Sequence, residues 1–368
     1  MDRINNIMFE RAWHVGTFAN IPVKIHWTFL LILIYVGFTS ASQGADWMSI
    51  LIEICFVLAM FFCVVLHEFG HALTAKRYGI RTEDIILLPI GGVARLRNMP
   101  EKPIQELIIA VMGPMVNVGI AILVFIYLIT SFGGSFFSIE NFQELNFASW
   151  AGFLPLLMIS NIMLVVFNMI PAFPMDGGRV LRALLAMGFG KLKATRIASI
   201  VGQIICVLLI LAGIYYEAYT LAIIGVFIFI NATQEYKSVA LDSAIKNKTI
   251  KDCYRKEYHS FTEYTTVQEA YEFLMHCRER YFVVINLLGQ FCGSVSAKQI
   301  QIAYKKNPQT RLTEIYNRQL LSLDSSTAIL NVLYSLRGQS ELVLVTEEEE
   351  VIGVVDLDSI QQYIDLNS

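Results

Sequence analysis

Two histidines stand four residues apart, with a glutamate after the first, in His67-Glu68-Phe69-Gly70-His71. On a helix this spacing puts both imidazoles on one face about one turn apart, which suits two ligands of a single zinc ion. Glu68 then points near the metal without binding it, where a carboxylate can serve as general base. Catalytic zinc takes a third protein ligand plus water. The candidate is Asp176, in Asn168-Met169-Ile170-Pro171-Ala172-Phe173-Pro174-Met175-Asp176-Gly177-Gly178-Arg179. The prolines stop the preceding helix and the two glycines allow close backbone approach. Two plainer readings compete: a chance string whose histidines are hydrogen-bonded within a bundle, and an Asp176 that caps a helix beginning near Gly177. Ionisable groups beside a bilayer core are costly and tend to be functional, which favours the metal site.

The elements that must position these residues are apolar. Of 368 residues, 55% are hydrophobic and 16% charged, and the mean hydropathy is +0.54. A soluble domain carries about a quarter charged residues, so an ordinary soluble enzyme is excluded. The net charge of −3 gives no sign of a nucleic-acid partner. Residues 1–237 carry 29 charged side chains and residues 238–368 carry 30, which reads as a membrane domain followed by a soluble one. The six cysteines (55, 63, 206, 253, 277, 292) form no CxxC pair and are expected to be reduced. No cleavable signal peptide is expected.

Six apolar stretches approach the length needed to cross a hydrocarbon core of about 30 Å: 26–41, 47–66, 107–129, 148–170, 197–214 and 218–232. Loop charges orient them. Arg3, Arg11 and Lys24 precede the first span; Lys76, Arg77, Arg81, Arg95, Arg97 and Lys102 follow the second. Arg179, Arg182, Lys191, Lys193 and Arg196 follow the fourth, whereas the loops holding Glu140, Glu144 and Glu217 contain no base. Both termini are therefore expected in the cytoplasm of a multi-pass cell-membrane protein. Spans two and four run in the same direction, so HEFGH and Asp176 arrive at the same, cytoplasmic end.

HEFGH after span two, together with NMIPAFPMDGG after span four, resembles the site-2 protease family of intramembrane zinc metalloproteases. The resemblance extends over residues 20–235 and includes Ile25-His26-Trp27-Thr28, Gly91-Gly92-Val93 and Gly113-Pro114-Met115-Val116-Asn117. It implies that His67, His71 and Asp176 bind one zinc per chain, that Glu68 is catalytic, and that Asn168 positions substrate or stabilises the oxyanion.

The segment Ile85–Val93 is too short and too interrupted for a helical span. It reads as a re-entrant strand or hairpin whose free edge could hold an extended substrate, against the alternative of a plain interfacial loop. Among weaker candidates, His26 with Trp27 reads as an interfacial anchor and Cys63 as a buried free thiol. Glu53 is expected to reach a polar neighbour, and Asn117 and Asn161 to make helix-to-helix hydrogen bonds.

Residues 250–365 hold two similar units about 60 residues apart. In the first, Thr266–Ala270 opens a helix, and 281–285 and 291–295 read as strands. In the second, a helix over 327–336 precedes strands at 342–345 and 351–355. They resemble a tandem pair of CBS domains, a family that often binds adenine nucleotides. That family commonly has Ser or Thr, then Asp three residues later, after the second strand. Here the positions hold Ser296 with Gln299 and Asp356 with Ser359, so a dimerising tail stands level with a nucleotide sensor.

The expected architecture is thus a polytopic α-helical membrane protein of about six transmembrane helices with a re-entrant β segment, plus a cytoplasmic α/β CBS pair. Its expected parts are a cytoplasmic N-terminal segment (1–24), a metalloprotease domain (25–237), a linker (238–249) and CBS domains at 250–310 and 311–368. The expected function is hydrolysis of membrane-anchored protein substrates near the cytoplasmic side by zinc-activated water with a Glu general base, in a homodimer whose CBS pair joins the chains or regulates the protease. A transporter and a catalytically dead zinc scaffold are the competing readings.

Overall fold

The structure, a computed structural model, describes residues 12–89, 91–96, 100, 102–133, 149–246, 248–277, 279–338 and 340–367. Arg3, Arg11, Ile90, Arg97, Glu140 and Glu144, used above, lie outside the described residues. The chain divides into two compact units, Met1–Tyr236 and Lys237–Ser368.

The first unit opens with strands rather than a featureless leader. β1 (Ala12–Phe18) turns through Ala19 and Asn20, both at positive φ, into β2 (Ile21–His26). β2 pairs in parallel with β3 (Thr82–Leu88), which pairs antiparallel with β4 (Gly91–Leu96), giving the order β1-β2-β3-β4 with β4 at an edge. The segment read as a strand or hairpin is thus the β3–β4 hairpin, and Gly91, at φ 138°, takes a conformation that L side chains rarely adopt.

Helices follow the apolar runs with shifted ends. α1 (Phe29–Ser42) is shorter than the expected first span, because residues up to His26 belong to β2. Its 14 residues rise roughly 21 Å, short of a hydrocarbon core. α2 (Trp47–Arg77) runs past the expected end of span two and through HEFGH, and Lys76 and Arg77 complement the negative end of its dipole. α3 (Pro103–Phe132), α4 (Trp150–Asn168), α5 (Asp176–Phe189), α6 (Lys191–Tyr215) and α7 (Tyr219–Ile245) follow. Among the described residues, four helices (α2, α3, α4 and α6) are long and apolar enough to cross a membrane. α7 is not, because polar residues follow Ile230.

The sheet packs on the C-terminal half of α2, with Ile21, Ala72 and Ile85 buried against Phe69, and Phe29 and Phe61 buried with Leu87. Glu53 finds its polar neighbour in the Ser40 hydroxyl of α1. The Asn161 amide donates to Leu157 O of its own helix at 2.8 Å, and the same side chain lies against the Cys63 thiol of α2.

Asp84, 1% exposed on β3, ties three strands together by accepting from Lys24 of β2 (2.7 Å) and from Arg95 of β4 (2.6 and 2.5 Å). Burial alone would raise its pKa, but the hydrogen bonds and charges of Arg95 and Lys24 outweigh it and hold the carboxyl below its usual range. A carboxyl lowered on folding stabilises the fold above its unfolded pKa of about 4, and that contribution is lost as pH falls further. Asp84→Asn should therefore lower the melting temperature at pH 7, with the gap to wild type closing in acid.

The second unit holds two modules of like topology. The first comprises β5 (Ser260–Thr262), α8 (Val267–Leu274), β6 (Tyr281–Ile285), β7 (Phe291–Ser296) and α9 (Ala297–Lys306). The second comprises β8 (Leu321–Asp324), α10 (Ile329–Gly338), β9 (Leu342–Glu347), β10 (Glu350–Asp356) and α11 (Leu357–Asn367). In each, the first strand pairs in parallel with the second, which pairs antiparallel with the third. The modules share a core of Val283 with Leu342, Leu344 and Val354. The segment before each module lies on the other: Thr249 and Arg255 bridge to Ala328 and Val354, while Arg311 and Asn317 bridge to Thr266 and Ser294. All six cysteines are free, and burial together with the nearby Asp252 and Asp356 pushes the Cys253 thiol up to about 12.

Candidate active site

α2 carries His67 and His71 one turn apart, both buried. Asp176 reaches them from the first turn of α5, where the break between α4 and α5 turns the chain back into the bundle. Its Oδ2 lies 3.1 Å from Nε2 of His67 and 3.1 Å from Nε2 of His71, and the two Nε2 atoms are 3.1 Å apart. The capping alternative for Asp176 fails: the N-cap of α5 is Met175, and no side chain caps it.

What stands behind the imidazoles decides which nitrogen faces the cluster. His71 Nδ1 donates to the backbone carbonyl of Ile109 at 2.7 Å, and His67 Nδ1 to Asn117 Oδ1 at 3.0 Å. Both acceptors are oxygens, so a neutral imidazole at either position carries its proton on Nδ1 and turns its Nε2 lone pair inward. Two lone pairs and a carboxylate converging at such distances repel one another unless a cation lies between them. Metal–ligand distances of about 2.0–2.1 Å in a tetrahedral site put donor atoms roughly 3.3 Å apart, close to the spacing here. Gly113 keeps the space open, since a Cβ there would fall 2.2 Å from His71 Nε2 and 2.7 Å from His67 Nε2. The residues fit zinc: two imidazoles and one carboxylate, a donor set that leaves the fourth position of a catalytic zinc to water. Gly113→Ala should cut zinc content well below wild type with unchanged helical circular dichroism, because the methyl enters the metal's cradle.

Glu68 lies between this cluster and the sheet, and its Oε2 accepts from Ala94 N–H of β4 at 3.0 Å. A Cβ at Gly92 would meet Glu68 Cγ at 2.8 Å, so a glycine is what lets the edge strand pass so close. Asn168 ends α4, half-buried, and no hydrogen bond joins it to the histidines or Asp176. His26 is buried with Nδ1 2.6 Å from the Thr28 hydroxyl, and Cys63 is a buried thiol.

The sequence alone gives Asn117 an interhelical hydrogen bond without naming its partner, and gives Gly113 no role beyond its motif. Along one stripe of α3, Ile109, Gly113 and Asn117 touch the histidines, and Glu106, a turn earlier, meets Arg182 of α5. The spacing of three, then four, then four residues was its available signal.

A second group of donors, His259, Cys277 and Glu279, lies in the second unit. There the Glu279 carboxylate is already held by His259 Nδ1 at 2.8 Å and by Arg255 at 3.5 Å, an ion-pair cluster at the surface.

Helices of membrane length around two histidines and an aspartate that fit zinc, with a glutamate alongside, define the class of membrane zinc metallopeptidases. Comparison with known proteins gives the family. The sequence model of peptidase family M50 matches residues 55–144 and 131–212. A zinc metalloprotease of Methanocaldococcus jannaschii is 32% identical over 339 residues, covering 91% of each chain. The chain belongs to peptidase family M50, the site-2 proteases, and is an intramembrane zinc protease. The solved site-2 protease of Methanocaldococcus jannaschii aligns at 36% identity and a TM-score of 0.45, over 61% of this chain and 95% of that one. CBS domains of a transcriptional regulator from Streptococcus pneumoniae align at 26% identity and a TM-score of 0.27, over 31% of this chain and 98% of theirs.

Proposed function

We propose that the protein cuts membrane-anchored proteins near the cytoplasmic face of the bilayer. His67, His71 and Asp176 hold one zinc per chain, and Glu68 is the general base. The observation that carries this reading is the convergence of both Nε2 atoms and the Asp176 carboxylate, with each imidazole held from behind in the tautomer a metal requires.

Zinc bound there would lower the pKa of a bound water to about 7 and draw charge from the scissile carbonyl. Glu68 takes the water's proton and returns it to the leaving amine, while the Ala94 amide keeps its carboxylate aimed. Asn168, at the end of α4, donates to the carbonyl oxygen as it becomes negative. The substrate lies along β4. In an antiparallel pair alternate residues turn their amide groups outward; Ala94 N–H faces Glu68, so Gly92, two residues away, belongs to the same outward set. A substrate helix that unwinds there regains backbone partners by strand addition, which hydrocarbon alone would deny it.

The alternation of basic and base-free loops supports six crossings, with the short α1 and the first half of α7 as the outer two and both termini cytoplasmic. In that arrangement the protease runs to 237 and takes in β1 and β2 from the segment before residue 25, because β2 pairs with β3; 238–249, which includes the end of α7, is the linker, and 85–93 re-enters the membrane.

The tail, 250–310 and 311–368, acts as a dimerising CBS pair. Ser296 and Gln299 form the capping box of α9, and the Asp356 carboxylate is engaged by the Ser359 amide and by Arg255. The polar groups at the positions where this resemblance places ribose contacts are thus already committed. Millimolar AMP or ATP should leave the melting temperature of the full-length protein unchanged; a rise of several degrees would make the tail a nucleotide sensor. Cleavage of a co-expressed membrane-anchored reporter, compared between wild type and Glu68→Gln, tests the protease reading itself.

A further inference from the structure

Arg182, on α5, is 1% exposed and heads the largest fully buried side chains among the described residues. Its Nε donates to Glu106 Oε1 of α3 at 2.7 Å and its Nη1 to Glu235 Oε1 of α7 at 2.5 Å. Its guanidinium also lies over the ring of Phe173, 4.9 Å from the centroid. Phe173 is itself buried and stands in the short segment that delivers Asp176. A buried cation with two carboxylates is not a cheap way to stabilise a fold, since desolvation consumes most of the attraction. What such an arrangement supplies is geometry: a planar fork fixes the direction of each partner.

The partners share one property. Glu106 begins the stripe of α3 whose Ile109 carbonyl and Asn117 amide hold the two histidines. Phe173 and α5 flank Asp176. Glu235 belongs to α7, a single helix that continues to Ile245. We propose that Arg182 is a positioning residue for the metal centre: it locks α5 and the Phe173 segment between α3 and α7, and so sets where Asp176 stands against His67 and His71. The helix leading out of the first unit thereby bears on the placement of a metal ligand through Glu235. This inference rests on Asp176 being a zinc ligand.

The test is zinc affinity of the full-length protein, measured by competition with a chelator, beside cleavage of a reporter at limiting and saturating zinc. Arg182→Lys keeps the charge and most of the bulk but loses the fork, which protects folding; Glu106→Gln and Glu235→Gln remove one partner each. The expected result is zinc bound about 10–100-fold more weakly in Arg182→Lys, the range for losing an outer support of a metal site. Smaller losses in the same direction are expected in the two glutamine variants, with cleavage returning as zinc is raised. Wild-type zinc affinity in all three variants, with only the melting temperature lowered, would reduce Arg182 to a structural ion pair and overturn the inference. Asp176→Ala run alongside separates the failures: unchanged zinc affinity there would remove the ligand assignment, whereas a loss there with none in Arg182→Lys would remove the clamp alone.

Discussion

Glu68→Gln is expected to retain one zinc per chain and to lose cleavage by about 10²–10⁴-fold, the contribution of a positioned proton-transfer group. The amide is nearly the same size as the carboxylate, and its oxygen can still accept from Ala94 N–H, so the contact with β4 survives. What disappears is the ability to take a proton from water and hand it to the leaving amine. The donor set of His67, His71 and Asp176 does not include Glu68, so metal content should be unaffected. The measurement is release of product from a co-expressed membrane-anchored reporter, with zinc determined on the same purified protein. Normal turnover by this variant would remove Glu68 as the base. Silence together with full zinc would make it a trap for isolating natural substrates.

Zinc content is expected to fall most in Asp176→Ala and His71→Ala. Each removes one of three converging donors, and the loss should exceed the roughly 10–100-fold typical of outer-shell changes. The two donors come from α2 and α5, separated by more than a hundred residues, and they meet only through the fold. One zinc in the wild type, lost or weakened in both variants, would place both segments around a single metal. That outcome also discriminates among activities. A transporter bearing CBS domains has no need of HEFGH and Asp176 at one depth, and a dead scaffold would bind zinc yet fail the Glu68 comparison. Absence of zinc from wild-type protein prepared with ample metal and no chelator would sink the metal site altogether.

The chemistry was legible because most of its signals are local. An i, i+4 histidine pair on a helix faces one way whatever surrounds it. Apolar runs of membrane length announce helices, with ends shifted where capping and neighbouring strands decide, and most where a helix continues past its apolar run, as α2 and α7 do. Pairing Asp176 with the histidines needed only the alternation of loop charges, a one-dimensional argument about which segments finish on the same side.

What the tertiary structure alone decided are the partners of single polar groups. Nothing in the periodicity of residues 12–26 says that they form two strands, because β2 exists by pairing with β3, some sixty residues later. Spacing does not say which partner a lone asparagine in an apolar helix takes: the Asn161 amide donates to Leu157 O of its own helix, whereas Asn117 reaches His67 of α2. Gly113 is a required void rather than a flexible link, and Arg182 joins three helices that only packing brings within reach of one guanidinium. Residue type and spacing determine which face of an element is apolar or reactive. Which element fills the space opposite that face is a long-range choice, made by the packing of the whole unit.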